Sequence, residues 1–423
     1  MFEEAIQEKK TVLTNFLALG ILQGTNFLIP LIIMPYLNVK IGIEGYGFIS
    51  FIQAIMVYFS SFTDYGFNVS ATREIAINKN DTQKISKIFN RVLSTKAVLC
   101  FFSALILFGM ILFIPKLTSN YLAYTLGFSI VLGQTILPVW FFQGMEKMKY
   151  LTCLNLFSKI LFTALIFVFV KRPEDSALVL LFFGLGNLAS GIAGVYLAVR
   201  QFNLSISIVP MREIKNEIVD GWNLFIANFS VIIYINSNLF ILGLFTNDLI
   251  VGYYSIAEKI SLAMRQILVI FSQAIFPQIC KLAIESHLKI IKFYKQFYVP
   301  FIVVFSLFCF LVFIFSDFLV FILTQKSESS ISNLLKLLCT VPLIVGLNIP
   351  AYQILLAHRF QKSCSLILTA GSILNIVLNI LLAINLGAIG TAYSVIITEL
   401  FITFGLHLIL HFRHRSENIF SKI

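Results

Sequence analysis

Long apolar segments recur along the whole chain and constrain its fold more than any other feature. A helix needs about 20 apolar residues to cross a bilayer core that is about 30 Å thick. The stretches between the segments are too short for a soluble domain of about 100 residues. The sequence therefore predicts an all-α polytopic membrane protein with about twelve transmembrane helices. The apolar segments lie near residues 12–36, 46–70, 92–114, 120–142, 152–170, 176–199, 222–246, 250–276, 298–323, 332–356, 364–386 and 388–411.

The composition excludes the main soluble alternatives. Of the 423 residues, 58% are apolar and 12% are charged, whereas a soluble globular protein carries about 25% charged residues. Such a chain cannot cover itself with a water-soluble surface, and it is too apolar for a disordered protein. Six cysteines stand singly in apolar stretches without a C-x-x-C pair, so the sequence predicts no disulfide framework.

Lysines and arginines are distributed unevenly between the two sets of connecting loops. Most of the 31 basic residues lie in the two tails and in the loops after even-numbered segments. Cytoplasmic loops carry such an excess, so the sequence predicts that both termini are cytoplasmic. The asymmetry also accounts for most of the net charge of +11 and argues against a nucleic-acid partner. The opposite loops hold Lys40, Lys116, Lys171, Arg172 and Lys326.

The two halves of the sequence resemble each other weakly. The stretch GIEGYGFISF (42–51) enters the second segment, and LIVGYYSIAE (249–258) enters the eighth. Because each half has an even number of segments, the halves are predicted to be parallel repeats with a cavity between them. We expect six-helix lobes at 1–200 and 222–423, with a cytoplasmic linker at 201–221.

Polar side chains form a stripe along the eighth segment. Positions seven residues apart share a helix face. The stripe runs from residue 258 to residue 273, so at about 1.5 Å per residue it is about 22 Å long. Because an unpaired charge in hydrocarbon costs about 2.5–3.5 kcal/mol on insertion scales, the stripe predicts a wet cavity or a buried charge pair. For Arg265, both Asp64 and Glu399 are candidate partners. The stripe consists of Glu258, Lys259, Arg265, Gln266, Ser272 and Gln273.

Further polar groups interrupt other segments. Interhelical hydrogen bonding is the alternative explanation for many of them. The cationic groups suit an anionic substrate such as a pyrophosphate or an acidic glycan, and the neutral groups suit sugar hydroxyls. The acids Asp64, Glu258 and Glu399 are candidates for binding a coupling cation. The candidate cavity residues outside the stripe are Asn26, Gln53, Lys159 and Tyr234, and other in-segment polar groups include Ser50, Ser60, Ser61, Asn68, Asn155, Ser237, Asn375 and Asn379.

Neither a metal site nor an ATPase is predicted. His407, His411 and His414 lie at i, i+4 and i+7 near the C-terminal end of the last segment, but no carboxylate or cysteine joins them to complete a metal site. The sequence has no Walker motif. We therefore expect no cofactor.

Two motifs resemble those of a known family. TDYGFNVSATREIA (63–76) resembles the D-[FY]-G-x-x-x-x-A-T-R-E-x-A signature of bacterial lipid-linked oligosaccharide flippases. These are the Wzx-type, O-antigen or capsule-repeat members of the multidrug/oligosaccharidyl-lipid/polysaccharide exporter superfamily. LPVWFFQGMEKMKYL (137–151) resembles the P-x-W-x-[FY]-Q-G-x-E-x-[MF] stretch of the same family. The resemblance covers the whole chain.

The resemblance implies a V-shaped pair of six-helix bundles with a central cationic cavity. The implied activity is ion-coupled alternating access in the bacterial inner membrane, with an ion gradient, of H⁺ or Na⁺, as the driving force. It would move undecaprenyl-pyrophosphate-linked repeat units from the cytoplasmic to the periplasmic leaflet. A polysaccharide polymerase and a chain-length regulator are the expected protein partners. Arg73 and Glu74 would form a cytoplasmic gate or a headgroup contact, and the other motif residues that carry over are Asp64, Gly66, Ala71, Thr72, Gln143, Gly144 and Glu146.

Two other classes of function compete with the flippase. A multidrug or small-molecule antiporter of the same architecture would favour acids for cationic drugs, whereas the eighth segment is net basic. A membrane glycosyltransferase or O-antigen polymerase would need a sizeable outer loop, and the predicted outer loops are short. Peptidoglycan-precursor flippases of the superfamily usually have fourteen spans, which makes them a poorer match.

Overall fold

Every regular element in the described part of the chain is helical. The computed structural model describes the backbone of residues 2–413, and the side chains from residue 24 onward except those of residues 25, 27, 234, 287 and 413. The predicted cavity residue Tyr234 and the histidine His414 therefore lie outside the described side chains. The helices are α1 (Phe2–Asp64), α2 (Phe67–Ile77), α3 (Thr82–Phe113), α4 (Pro115–Thr118), α5 (Tyr121–Ile136), α6 (Val139–Gly144), α7 (Met148–Phe169), α8 (Ser176–Gln201), α9 (Met211–Phe245), α10 (Asp248–Glu285), α11 (His287–Phe293), α12 (Val299–Ile314), α13 (Ser316–Thr324), α14 (Ser329–Leu338), α15 (Thr340–Ala357) and α16 (Gln361–Arg413), with a 3₁₀ turn at Pro173–Asp175 and a π turn at Tyr294–Tyr298.

Two of the helices are much longer than a bilayer is thick. Helix α1 has 63 residues and α16 has 53, which at about 1.5 Å per residue gives lengths of about 95 and 80 Å. Each consists of two helices joined at a glycine with positive φ, Gly42 at 75° and Gly387 at 59°. Only glycine takes this conformation without strain, so these two positions set where each long helix changes direction.

Nine helices of the described residues are long and apolar enough to cross a membrane. They become ten if the bent pair Met211–Ile233 and Ile235–Phe245 counts as one span. The prediction of an all-helical polytopic membrane protein is confirmed. The number differs from the predicted twelve because α1 and α16 each contain two of the predicted apolar segments in one continuous helix.

The second predicted segment, 46–70, does not form one helix as expected. Helix α1 ends at Asp64, and Tyr65 (φ 50°) and Gly66 (φ 86°) turn the chain into α2. A Cβ atom at residue 66 would lie 3.0 Å from Leu224 Cγ, so the close approach of α9 also requires glycine there. The break places the carboxylate of Asp64 at a helix end.

Close helix packing holds the first half of the molecule together. Helices α5 and α8 approach through small residues, and a Cβ atom at Gly133 would lie 2.5 Å from the Cβ of Asn187. Aromatic side chains form a buried cluster in this unit that includes Phe89, Trp140 and Phe141. This packing fixes the helices that carry the polar groups described below.

The chain divides into two compact units, residues 1–236 and 237–423. The first unit contains α1 to α8 and most of α9. The second contains the end of α9 and α10 to α16. Each unit has its own buried polar groups, which are described separately.

Candidate functional site

A buried ion pair lies at the end of α1 in the first unit. Lys96 Nζ on α3 lies 3.7 Å from Asp64 Oδ1, and the lysine side chain is 3% exposed while that of Asp64 is 27% exposed. Lys96 Nζ also donates a hydrogen bond to the Gln134 carbonyl oxygen on α5 (3.3 Å). Removing the acid would leave the buried ammonium uncompensated, at a cost of about 3–5 kcal/mol. The pair therefore links three helices at one point.

A cavity of about 510 Å³ opens beside this pair, entirely within the first unit. Its volume lies in the range of about 300–1,000 Å³ that is typical of small-ligand sites. It combines polar groups with an apolar wall from α1, α2, α6 and α9. The polar side chains that line it are Ser60, Ser61, Asp64, Asn68, Lys96, Gln134, Asn155, Asn187 and Asn228.

A second cationic group, Lys159 on α7, lies in the same unit. Its ammonium donates a hydrogen bond to Asn26 Oδ1 on α1, and its side chain is buried. The structure thus brings together two of the predicted cavity residues, Lys159 and Asn26. Asn155, one turn before Lys159, lines the cavity, whereas Gln53 is half-buried on α1 and is not among the side chains that line it.

The second unit contains an ion pair in which the acid, instead of the base, is the buried partner. Arg265 Nη2 on α10 lies 2.8 Å from Glu399 Oε1 on α16. Here the carboxylate is the buried partner, at 6% exposed, and the arginine side chain is 32% exposed. Of the two acids that the sequence offered as partners, Arg265 contacts Glu399, and Asp64 pairs with Lys96.

The other residues of the polar stripe on α10 are half-buried or exposed. Glu258 shares a hydrogen bond with the Tyr254 hydroxyl one turn earlier, and Lys259 and Gln266 are half-buried. Gln273 lies exposed about two turns beyond the middle of the helix. Within the stripe, Arg265 pairs with an acid on another helix, Glu399 on α16.

Several predicted polar groups serve as interhelical hydrogen bonds. Ser237 Oγ donates to Asn375 Oδ1 (3.2 Å), and Asn379 Nδ2 donates to Asn238 Oδ1 (3.1 Å). Gln353 Nε2 donates to Ser272 Oγ (2.7 Å). For these groups in the second unit, the alternative explanation as links between helices is the observed one.

The two motifs of the sequence, at residues 63–76 and 137–151, contact each other in the first unit. Thr72 Oγ1 on α2 donates to the Trp140 carbonyl oxygen on α6 (3.1 Å). A Cβ atom at Gly144 would lie 2.7 Å from Ile75 Cβ, so that position accepts only glycine. Lys79 and Glu146 form an exposed ion pair at 3.5 Å. The motifs therefore build one packed corner.

Glu74, one of the two predicted gate residues, belongs to a charged triad. Arg91 Nη2 on α3 lies 2.5 Å from Glu74 Oε2, and Arg91 Nε lies 2.5 Å from Glu217 Oε2 on α9. Arg73 lies on the exposed face of α2. The Tyr65 hydroxyl also donates to the Ile218 carbonyl oxygen (2.9 Å), so the motif at residues 64–74 contacts α9 at two places.

The sequence reasoning missed several residues of the cavity. Lys96 is the most important, and its signal was the single lysine in the otherwise apolar stretch LSTKAVLCFF. Gln134, Asn187 and Asn228 are isolated amides whose approach in space follows from helix packing. Within the described residues, no group of three or more His, Cys, Asp or Glu side chains is arranged to hold a metal ion.

Sequence comparison supplies the family. The sequence model described as "Polysaccharide biosynthesis protein" matches residues 12–283, well over half of the chain. The chain belongs to this family. The match covers both motifs, the cavity of the first unit and Arg265, so the recognition made from residues 63–76 and 137–151 is confirmed.

Two named relatives match nearly the full length. A protein of Escherichia coli (strain K12) named "Putative O-antigen transporter" is 28% identical over 396 residues, covering 93% of this chain and 95% of its own. A protein of Shigella dysenteriae with the same name is 26% identical over 389 residues, covering 92% and 97%.

Solved structures show the fold. An inward-facing multidrug resistance MATE family transporter of the MOP superfamily matches with a TM-score of 0.68 and 14% identity, over 95% of this chain and 98% of its own. The lipid II flippase MurJ, in an inward closed conformation, matches with a TM-score of 0.68 and 14% identity, over 97% and 89%. The chain thus has the fold of this transporter superfamily.

Proposed function

We propose that this protein is a flippase for undecaprenyl-pyrophosphate-linked O-antigen or similar polysaccharide repeat units. It moves them from the cytoplasmic to the periplasmic leaflet of the bacterial inner membrane. The observation that carries the proposal is the polar, charge-bearing cavity within helices that are apolar enough to span a membrane. The family, the names of the full-length relatives and the shared fold support a transporter rather than an enzyme.

The proposed topology has twelve spans with both termini in the cytoplasm. The two long helices α1 and α16 each have the length for two crossings of a core about 30 Å thick, and the bent pair in α9 supplies another. The moving bodies are two six-helix lobes, 1–200 and 222–423, joined by the cytoplasmic linker 201–221. They alternate between inward-open and outward-open arrangements around a central cavity.

The substrate's pyrophosphate requires cationic partners inside the membrane. A buried ion that lacks partners costs tens of kcal/mol by idealised Born estimates, so the group cannot cross hydrocarbon unaided. Arg265 presents a partly exposed guanidinium whose fork matches phosphate oxygens. In the proposed central cavity it acts with Lys259 and Lys159, while neutral groups contact the sugars: Asn26, Gln53, Tyr234, Gln266 and Gln273.

Ion coupling is assigned to three acids, Asp64, Glu258 and Glu399. Two of them form ion pairs with basic side chains in this structure: Asp64 with Lys96, and Glu399 with Arg265. Binding of H⁺ or Na⁺ to such an acid weakens its ion pair and so changes which arrangement of the lobes is favoured. A charge that crosses the membrane gains about 2.3 kcal/mol per 100 mV, which is enough to bias the cycle.

Arg73 and Glu74 are assigned to the cytoplasmic gate. The triad of Glu74, Arg91 and Glu217 connects α2 and α3 to α9. Because α2 directly follows α1, a movement of α9 would shift the end of α1. Arg73, exposed on α2 beside Glu74, is proposed to contact a lipid headgroup or the pyrophosphate as the substrate enters. A polysaccharide polymerase and a chain-length regulator are the proposed partners after release.

The proposal is tested by flipping in proteoliposomes. Purified protein is reconstituted with an undecaprenyl-pyrophosphate oligosaccharide, an ion gradient is imposed, and a membrane-impermeant glycosidase reports the glycan on the accessible face. We expect gradient-dependent exposure that is lost in Arg265→Ala and Lys159→Ala, with both variants inserted at normal levels. Folded wild-type protein that exposes no glycan, but exports a cationic drug, would instead be an antiporter.

A further inference from the structure

The cavity of the first unit has a lining that differs from the cationic stripe of α10. Its charged lining side chains among the described residues are Asp64 and Lys96, and these two neutralise each other. An anion could bind Lys96 only by displacing Asp64 from a buried pair, which is unfavourable. The cavity therefore presents little net charge to a ligand.

Five carboxamides dominate the polar part of the lining: Asn68, Gln134, Asn155, Asn187 and Asn228. A carboxamide offers two N–H donors and an acceptor oxygen in one plane. Such a set matches the hydroxyl and N-acetyl groups of a sugar, which donate and accept in turn. A site for a phosphate would instead concentrate N–H donors and uncompensated cations.

The side chains of two of the five amides, Gln134 and Asn228, are available to hydrogen-bond a ligand, whereas those of Asn155 and Asn187 are engaged. The Asn155 side chain donates to the Leu151 carbonyl oxygen, and Asn187 accepts from Ser158. By contrast, the side chains of Gln134 and Asn228 make no hydrogen bond with any described residue, and both line the cavity. A polar group left unpaired within a membrane span is unfavourable, so a ligand or water completes these two.

The apolar part of the lining fits the same kind of ligand. Carbon-bearing side chains of α1, α2, α6 and α9 form the opposite wall, among them Val57, Val69, Val139 and Ile232. A pyranose ring has faces of C–H groups and an edge of hydroxyls, so it needs both kinds of wall. A small inorganic anion has no use for the apolar one.

From these features, and resting on the proposed flippase function, the geometry points to a subsite in the first unit for uncharged sugar rings of the translocated glycan. Gln134 and Asn228 contact the sugar directly. Asp64 and Lys96 keep the site electrically neutral and hold α1 against α3. The subsite selects hydroxyl-bearing or N-acetylated residues of the repeat unit, separately from recognition of the pyrophosphate.

The test uses free sugars with the full-length protein in nanodiscs. Saturation-transfer NMR is recorded with methyl glycosides of glucose, galactose and N-acetylglucosamine, and with glucuronate and inorganic pyrophosphate as charged probes. For a ligand of this size we expect a Kd on the order of millimolar. At least one neutral glycoside should bind wild-type protein, and pyrophosphate should not compete with it.

The decisive variant is Gln134→Met with Asn228→Leu, which keeps side-chain volume and removes no hydrogen bond to a described residue. We expect it to weaken neutral-sugar binding by about tenfold or more, from the loss of two hydrogen-bonding groups. The matched control is Asn385→Leu in the second unit, where the amide donates to the Leu381 carbonyl oxygen. This control should bind the sugar as wild type does.

Three results would overturn the subsite. They are equal sugar binding in the double variant and wild type, no neutral glycoside binding to wild type, and competition by pyrophosphate or glucuronate. Flipping of lipid-linked glycan by the same preparation separates this from the proposed function. A wild-type protein that flips but shows one of these results lacks only the subsite. One that binds neutral sugars but flips no lipid-linked glycan contradicts the flippase.

Discussion

Each compact unit contains an ion pair between helices in which one partner is nearly enclosed, and the enclosed partner is a cation in one unit and an anion in the other. In the first unit the lysine is the buried partner, and the carboxylate of Asp64 is partly exposed at the cavity. In the second, the carboxylate of Glu399 is buried and the guanidinium of Arg265 is partly exposed. Each pair is neutral as a whole, but its partly exposed member is an acid in the first unit and a base in the second.

The sign of a charge within an apolar helix therefore does not by itself determine which ligand its site can bind. Lys96 and Arg265 are both cations within apolar helices, but Lys96 is enclosed and serves to position an acid. Arg265 is held by an enclosed acid and remains available to a ligand. The partly exposed partner of each pair suits the role proposed for it, cation coupling for Asp64 and anion binding for Arg265.

The largest expected effect comes from removing the acid of the first pair. Asp64→Asn leaves Lys96 buried without a counter-charge, so we expect a loss of about 3–5 kcal/mol in the free energy of unfolding. Lys96→Met leaves an acid that reaches the cavity, and should cost only about 1–2 kcal/mol. Unfolding by sodium dodecyl sulfate in mixed micelles measures both. Equal losses would mean that the two partners are equally enclosed.

In the second unit the order of the two partners should reverse. Arg265→Gln leaves Glu399 buried and unpaired, at a cost of about 3 kcal/mol, whereas Glu399→Gln leaves an arginine that reaches solvent and should cost about 1 kcal/mol. The same unfolding titration applies. The comparison between the units fails if Glu399→Gln is the more damaging change.

The triad of Glu74, Arg91 and Glu217 should show a smaller effect. Arg91→Gln removes contacts to Glu74 and Glu217, which are partly exposed, and should cost about 1–2 kcal/mol. Arg73→Gln, on the exposed face of the same corner, should change stability by less than about 0.5 kcal/mol while slowing flipping. If Arg73→Gln leaves the flipping rate unaltered, Arg73 is not part of the gate.

The smallest effect is expected at an exposed pair in the second unit. Lys336 Nζ lies 3.1 Å from Asp317 Oδ2, and the acid is 69% exposed. Pairs of this kind contribute less than about 1 kcal/mol, so Lys336→Gln sets the baseline for the titrations above. A loss comparable to that of Asp64→Asn would show that burial is not what separates the pairs.

Hydropathy alone predicted the helices well, because long apolar runs have few alternatives in a membrane. It failed at the end of the second segment, since the left-handed turn at Tyr65 and Gly66 depends on the approach of α9 through Leu224. Hydropathy also predicted separate segments where the backbone joins two helices through a single glycine, Gly42 in α1 and Gly387 in α16. The turn at Tyr65 and Gly66 depends on packing between distant parts of the chain, which hydropathy does not report.

The candidate site was predicted in part. The in-segment charges Arg265, Glu399, Asp64 and Lys159 stand out in an apolar background, and their cost in hydrocarbon marks them. The sequence left two acids open as partners of Arg265, because pairing depends on which helix faces are adjacent. For the same reason the sequence does not distinguish cavity groups from the interhelical links that Asn375 and Asn379 form.

The most direct test of the opposite charge presentation is a pair of charge swaps assayed for flipping. Lys96→Asp with Asp64→Lys, and Arg265→Glu with Glu399→Arg, each keep an ion pair but reverse which charge is exposed. Flipping of lipid-linked oligosaccharide is measured in proteoliposomes alongside the amount of folded protein. Our account predicts folded variants that have lost flipping. Wild-type rates in both swapped variants would contradict it, because the sign of the exposed charge would then not matter.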